Sequence, residues 1–160
     1  MGVPFRLASN LLSKDRKGPV YRKSLNWTYT RTTCVAAKLG ANQAGPEAQI
    51  IEFFRNRGFK VTAPITVRGI SGFDEIFDIS AVKGQEEIVL DIAAVDSAVG
   101  PEKVVAFFAK IFDTKPRRPI LICIPTMNHA ANSLATMYKM ETVTSSNIDG
   151  VLVKLTGIFG

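Results

Sequence analysis

The sequence predicts a mixed α/β domain: one sheet with helices on both faces. Three observations lead there. Residues 60–95 read as three consecutive strands joined by short turns, a meander. The continuous apolar run Pro119-Ile120-Leu121-Ile122-Cys123-Ile124 reads as a central strand buried on both sides. Amphipathic helical stretches opened by Pro46 and Pro101 separate these strands, and such alternation covers a sheet from both sides.

The first helix begins at Pro46, the position proline favours, and stops at Gly58. Glu47 and Glu52 lie early and Arg55 and Arg57 late, as the helix dipole prefers, while Ile50, Ile51, Phe53 and Phe54 form a broad apolar face. Lys60 to Arg68 alternates strictly, with Val61, Ala63, Ile65 and Val67 expected on one face. Pro64 has no N–H, so this strand is an edge or is bulged there. After Pro101 a second helix presents Val104, Phe107, Phe108 and Ile111 as one stripe, with Lys103 and Lys110 on a different face. A third helix is expected over Asn128–Lys139 and a last strand over Gly150–Leu155. The predicted order is helix, three-strand meander, helix, strand, helix, strand.

The chemistry concentrates in the second and third strands. Ile76–Val82 and Ile88–Val95 are apolar arms joined by Lys83-Gly84-Gln85-Glu86, a hairpin turn with glycine at its first central position. If Lys83 pairs with Glu86, the same register pairs Asp78 with Asp91, and their Cβ atoms stand about 4.5–5.5 Å apart. Two like charges that close are costly in apolar arms. A divalent cation, a shared proton or a different register would each relieve the cost. Two carboxylates facing water on the open side of a sheet is the simpler alternative.

The 160 residues suffice for one domain with a core. Their net charge of +6 is uneven. Residues 1–45 hold eight bases against Asp15 alone, a net of +7, and the rest is close to neutral. The expected organisation is therefore a basic arm, 1–45, followed by a domain, 46–160. Within the arm, Arg16, Lys17, Arg22, Lys23 and Arg31 surround Trp27 and Tyr29, an interleaving of cations and rings suited to phosphates and stacked bases. Docking of the arm onto its own domain and an organellar leader are the alternatives. Cys34 and Cys123 form no CxxC pair, which argues against a thiolate zinc site, and His129 is the lone histidine. Without an apolar run of membrane length or a secretory leader, a cytoplasmic protein with no membrane partner is expected.

The element order, with one acid in the second strand (FDISAV) and one in the third (VLDIA), resembles the restriction-endonuclease-like, PD-(D/E)XK nuclease superfamily. The likeness covers roughly Pro46 to Ile124, and RGISGFDEIFDISAV is similar to members in which a Ser-Gly turn precedes the metal-binding aspartate. It implies a metal-dependent nuclease acting on DNA or RNA, DNA before RNA, with Mg²⁺ or Mn²⁺ held by Asp78, Asp91 and the carbonyl of Ile92. Glu52 stands where some members place an extra acid. The family pattern asks for lysine two residues after the third-strand acid, and Ala93 stands there. The resemblance then implies a migrated lysine on the following helix, Lys110 first and Lys103 second. Otherwise the domain is a catalytically inactive nucleic-acid-binding module. An interaction domain that self-associates, as a homodimer, is the remaining alternative.

Overall fold

The computed structural model describes residues 45–160. Its elements run α1 (Pro46–Asn56), β1 (Lys60–Thr62), β2 (Ile65–Arg68), β3 (Asp74–Phe77), β4 (Ile79–Lys83), β5 (Glu86–Ala94), α2 (Pro101–Thr114), β6 (Arg118–Ile124), α3 (His129–Met137), β7 (Glu141–Thr144) and α4 (Ile148–Phe159). Strands β1, β4, β5, β6 and β7 form one mixed sheet in that order, and β2 pairs with β3 in a separate ribbon. The α/β class with helices on both faces is as expected.

The sheet divides two cores. On one face Ile79, Ala81, Ile88, Leu90, Ile120 and Ile122 meet α1 and α4, through Phe54, Val151 and Leu155 among others. On the other face Val89, Ala93, Leu121 and Cys123 meet α2 and α3, through Val104, Phe107, Ala131 and Ala135. Strand β6 feeds both cores with alternate residues, which is why its stretch from Pro119 to Ile124 is apolar. It lies parallel to β5 and to β7, as crossovers through helices require. Phe54 is fully buried in edge contacts with Phe53, Phe59 and Phe159, at ring centroids of 5.2–5.3 Å. Truncating such a ring to alanine costs about 3–5 kcal/mol.

The chain end differs from the expected strand at Gly150–Leu155. Those residues lie in α4, and the last strand is β7. The Asn147 side chain accepts a hydrogen bond from the Gly150 N–H at 2.9 Å and caps the helix. Ile148, Val151, Leu152, Leu155 and Phe159 recur at helical spacing and pack on the α1 core. Asn128 caps α3 likewise, accepting from the Ala131 N–H at 2.8 Å.

The expected strand from Lys60 to Arg68 is broken in two. Val61 packs in the α1/α4 core, whereas Ile65 and Val67 pack in the α2/α3 core, and Ala63 is exposed. The paired strand segment β3–β4 turns over at the matching point: Phe77 and Ile79 share parity yet enter opposite cores. The pairings Lys60↔Val82 and Ile65↔Phe77 belong to one continuous register, in which Pro64 falls opposite Asp78. Proline has no N–H to give the ladder, so the break belongs there. Below it, β1 and β4 stay in the main sheet; above it, the β2–β3 ribbon swings over α2.

Candidate active site

The turn Lys83–Glu86 pairs as the sequence predicts, with Gly84 at φ +61°. The β4–β5 ladder runs from Lys83↔Glu86 to Ile79↔Leu90, and the next step is Asp78 opposite Asp91. Here β3 leaves β5, and the strands part like a fork. Side chains replace the missing rung. Asp91 Oδ1 accepts from the Asp78 N–H at 3.3 Å, and Asp78 Oδ2 accepts from the Ile92 N–H at 2.7 Å. Each carboxylate therefore closes on the other strand's backbone. In an extended strand a residue's carbonyl leaves on the same side as its N–H, so the Ile92 carbonyl also faces the fork.

Asp91 lies on the α2 side of β5, between Val89 and Ala93 of that core. Its side chain is only 14% exposed. Burial pushes its carboxyl above the ordinary carboxylate range; Lys110 pulls it back down, and the Asp78 charge raises it again. Lys110 comes from α2. Its ammonium donates to Asp91 Oδ2 at 2.5 Å and to the Ile76 carbonyl at 2.7 Å, and sits 5.5 Å from the centre of the Phe77 ring. Asp78, Asp91, Ile92 and Lys110 are thus brought together. Asp113, the other carboxylate within reach of Lys110 along the helix, instead accepts from Ser71.

On the α1 side the fork opens into a cleft of about 250 Å³ lined by Pro46, Glu47, Asp78, Ile92 and Ala94. The helix acid beside Asp78 is therefore Glu47. Glu52 is not brought to the fork: it lies five residues further, about 140° round the helix. It lines a separate groove with Gln49, Phe53, Asn56, Arg57 and Leu152. In the sequence Glu47 reads as a dipole partner, and its place next to the helix-opening Pro46 is the signal for its position at the cleft. Lys103 is exposed on α2, Asp74 is paired with Arg68 at 2.9 Å, and His129 is exposed at the start of α3. The arm residues Arg16, Lys17, Arg22, Lys23, Trp27, Tyr29 and Arg31 lie outside the described residues, as does Cys34. Cys123 is a buried free thiol whose acidity burial pushes up to about 11, an inert core residue.

Among the described residues no three His, Cys, Asp or Glu side chains form a metal cage. The oxygens present at the fork are those of Asp78 and Asp91, each bonded to the other strand's backbone N–H, with Glu47 beside Asp78 in the cleft. Hard oxygen donors of this kind, with the Ile92 carbonyl, are the groups that could hold a small divalent cation keeping several waters. Among the described residues no helix is long and apolar enough to cross a membrane.

No family model and no curated protein matches the sequence. Solved structures do. The protein of unknown function AF1548 superposes with a TM-score of 0.56 at 13% identity, over 69% of this chain and 65% of that one. VC1899 from Vibrio cholerae superposes with a TM-score of 0.52 at 10% identity, over 72% of this chain and 34% of that one. An EndoMS–double-stranded DNA complex is matched more loosely, at a TM-score of 0.41 and 15% identity over 66% of this chain and 45% of that one. The chain thus spans just under two thirds of the first of these and about a third of the second. At these identities the likeness to AF1548 and VC1899 is one of fold alone.

Proposed function

We propose that the protein is a metal-dependent nuclease acting on DNA or RNA phosphodiesters, with Asp78, Asp91 and Lys110 at its centre. One observation carries this reading. A lysine from α2 reaches into the fork and pairs with Asp91 at 2.5 Å, although the usual position for such a lysine holds Ala93. An exposed helix cation has no need of a partner that is largely buried.

Asp78, Asp91 and the Ile92 carbonyl would hold Mg²⁺ or Mn²⁺, and Glu47 would reach it through water. A bound ion of this kind supplies an activated water and charge stabilisation at a phosphodiester. The Lys110 ammonium has three donors and spends two on Ile76 and Asp91. The third is left to orient a water or a phosphate oxygen at the fork. Ile92 N–H fixes the Asp78 carboxylate, and Asp78 N–H fixes that of Asp91, so both acids are oriented before any ligand arrives. The basic arm precedes α1 in the sequence. Its cations and rings would bind nucleic acid, DNA before RNA, with a steep salt dependence.

The test has two arms. Mg²⁺ or Mn²⁺ should raise the melting temperature of the wild type, and Asp91→Asn should abolish that rise. Single-stranded, duplex and branched substrates should then be cut by the wild type and left intact by Asp91→Asn. No ion-dependent shift in the wild type removes the metal centre. A shift without cleavage favours the second reading, a nucleic-acid-binding module on a nuclease scaffold, to which Ala93 points.

A further inference from the structure

The β2–β3 ribbon and α2 meet at two places one helical turn apart. At the first, Lys110 donates to the Ile76 carbonyl of β3 as well as to Asp91. At the second, Asp113 holds the turn between β2 and β3. Its Oδ1 accepts from the Ser71 N–H at 2.7 Å, its Oδ2 accepts from the Ser71 hydroxyl at 2.6 Å, and its own carbonyl accepts from the Ile70 N–H at 3.0 Å. The turn is closed on itself too, Gly69 N–H donating to the Phe73 carbonyl at 2.7 Å and Gly72 N–H to the Gly69 carbonyl at 3.1 Å. Gly69 is buried beneath the clamp, and a Cβ there would run into the Asp113 carboxylate.

This carboxylate contributes nothing to the fork directly. It lies three residues after Lys110, on the same side of the helix. We propose that Asp113 is a positioning residue: by clamping Ser71 it fixes where the ribbon sits on α2, and so holds Lys110 against Ile76 and Asp91. The role rests on the reading of Lys110 and Asp91 as the working pair. A lysine side chain loses much rotamer freedom when held in one geometry. Two contacts hold this one, Asp91 of β5 at 2.5 Å and the Ile76 carbonyl of the ribbon at 2.7 Å, and only the second depends on where the ribbon sits. The Asp113–Ser71 clamp is the next point along α2 at which the ribbon is tied.

Competitive acylation of lysine amines, read by mass spectrometry on the full chain, tests this without metal or nucleic acid. Lys103, exposed seven residues earlier on the same helix, is the internal reference. In the wild type Lys110 should react more slowly than Lys103. Asp113→Ala should raise the Lys110/Lys103 ratio about fivefold by letting the ribbon open locally. Asp113→Asn should raise it less, because its amide oxygen still accepts from the Ser71 N–H and its NH₂ can donate to the Ser71 hydroxyl oxygen. Ser71→Ala, which keeps the backbone contact, serves as a milder second variant should Asp113→Ala not fold. A clamp that merely stabilises the turn lowers the melting temperature and leaves the ratio unchanged, and that result overturns the proposal. A wild-type ratio already near one overturns it differently, by removing the Lys110–Asp91 pair and the proposed function with it.

Discussion

The fork and the clamp each set an aspartate between the β2–β3 ribbon and α2, and the two aspartates are treated in opposite ways. Asp113 lies at the surface and is met by neutral donors only, two N–H groups reaching its carboxylate and carbonyl and one hydroxyl. Those bonds hold its carboxyl below the ordinary range. Asp91 is mostly buried, and burial pushes its carboxyl up despite a lysine at 2.5 Å. Hydrogen bonds satisfy the exposed carboxylate, whereas the buried one depends on a cation and stands next to a second carboxylate.

The largest effect that sharpens this contrast comes from Lys110→Met. It keeps the packing of the side-chain stem and leaves Asp91 buried without its cation. Breaking a buried pair costs 3–5 kcal/mol, and partial exposure here reduces that to about 2 kcal/mol. Chemical denaturation in the presence of chelator reads the loss. Divalent cation should then restore stability in the variant by more than it adds to the wild type, since no ammonium competes for Asp91. A variant as stable as the wild type in chelator would erase the difference between the two carboxylates.

Asp91→Asn comes next. Its amide oxygen can still accept from Lys110 or from the Asp78 N–H, so the loss of stability in chelator should be smaller, about 1 kcal/mol. The divalent response should vanish. If the variant still responds to the ion as the wild type does, the ion binds elsewhere.

The contrast also bears on what the sequence could reveal. The hairpin register was legible because Gly84 selects the turn and a turn fixes every rung below it, down to Asp78 and Asp91. The resemblance points to Lys110 because Ala93 holds the motif position, and the structure pairs the Lys110 ammonium with Asp91 at 2.5 Å. The turnover at Asp78 was not legible, because alternation along Lys60–Arg68 is unbroken in sequence and Phe77, Ile79 and Ala81 keep one parity, while the cores that receive them change. Parity arguments therefore fail at the fork itself. Residues 150–155 misled for a related reason: six residues rich in valine and leucine suit either period, and only the wider span from Ile148 to Phe159 shows the helical one. The clamp left no signal, since Asp113 and Ser71 are 42 residues apart.

Acid titration separates the two carboxylates by sign. The Asp113 carboxyl is lowered in the fold, so its contribution is complete above its unfolded value of 3.8 and is lost as pH falls through the lower folded value. The Asp91 carboxyl is raised, so in chelator its contribution is complete below 3.8 and is lost as pH rises through the higher folded value. Melting temperatures of wild type, Asp113→Asn and Asp91→Asn between pH 3 and 7 read both. Relative to the wild type, Asp113→Asn should lose its disadvantage in acid, and the disadvantage of Asp91→Asn should shrink as pH rises. Equal slopes for the two variants would mean that the fork and the clamp are electrostatically alike.

The smallest effect asks how far the fork extends on the α1 side. Glu47 lines the cleft with Asp78, whereas Glu52 faces the groove beside Arg57 and Leu152. Both are exposed glutamates on one helix, so neither substitution should disturb the fold, and each removes the same charge. If Glu47 contributes to the ion through an ordered water, Glu47→Gln should weaken the divalent midpoint about threefold, or about 0.6 kcal/mol. Glu52→Gln should leave it unchanged. The paired measurement cancels the general effect of lowering negative charge near a cation, which acts on both variants through screened solvent. Equal shifts would make the α1 acids a diffuse field and confine the site to Asp78, Asp91 and the Ile92 carbonyl. A shift for Glu52 alone would mean that the groove it lines, and not the cleft beside Asp78, takes the ion.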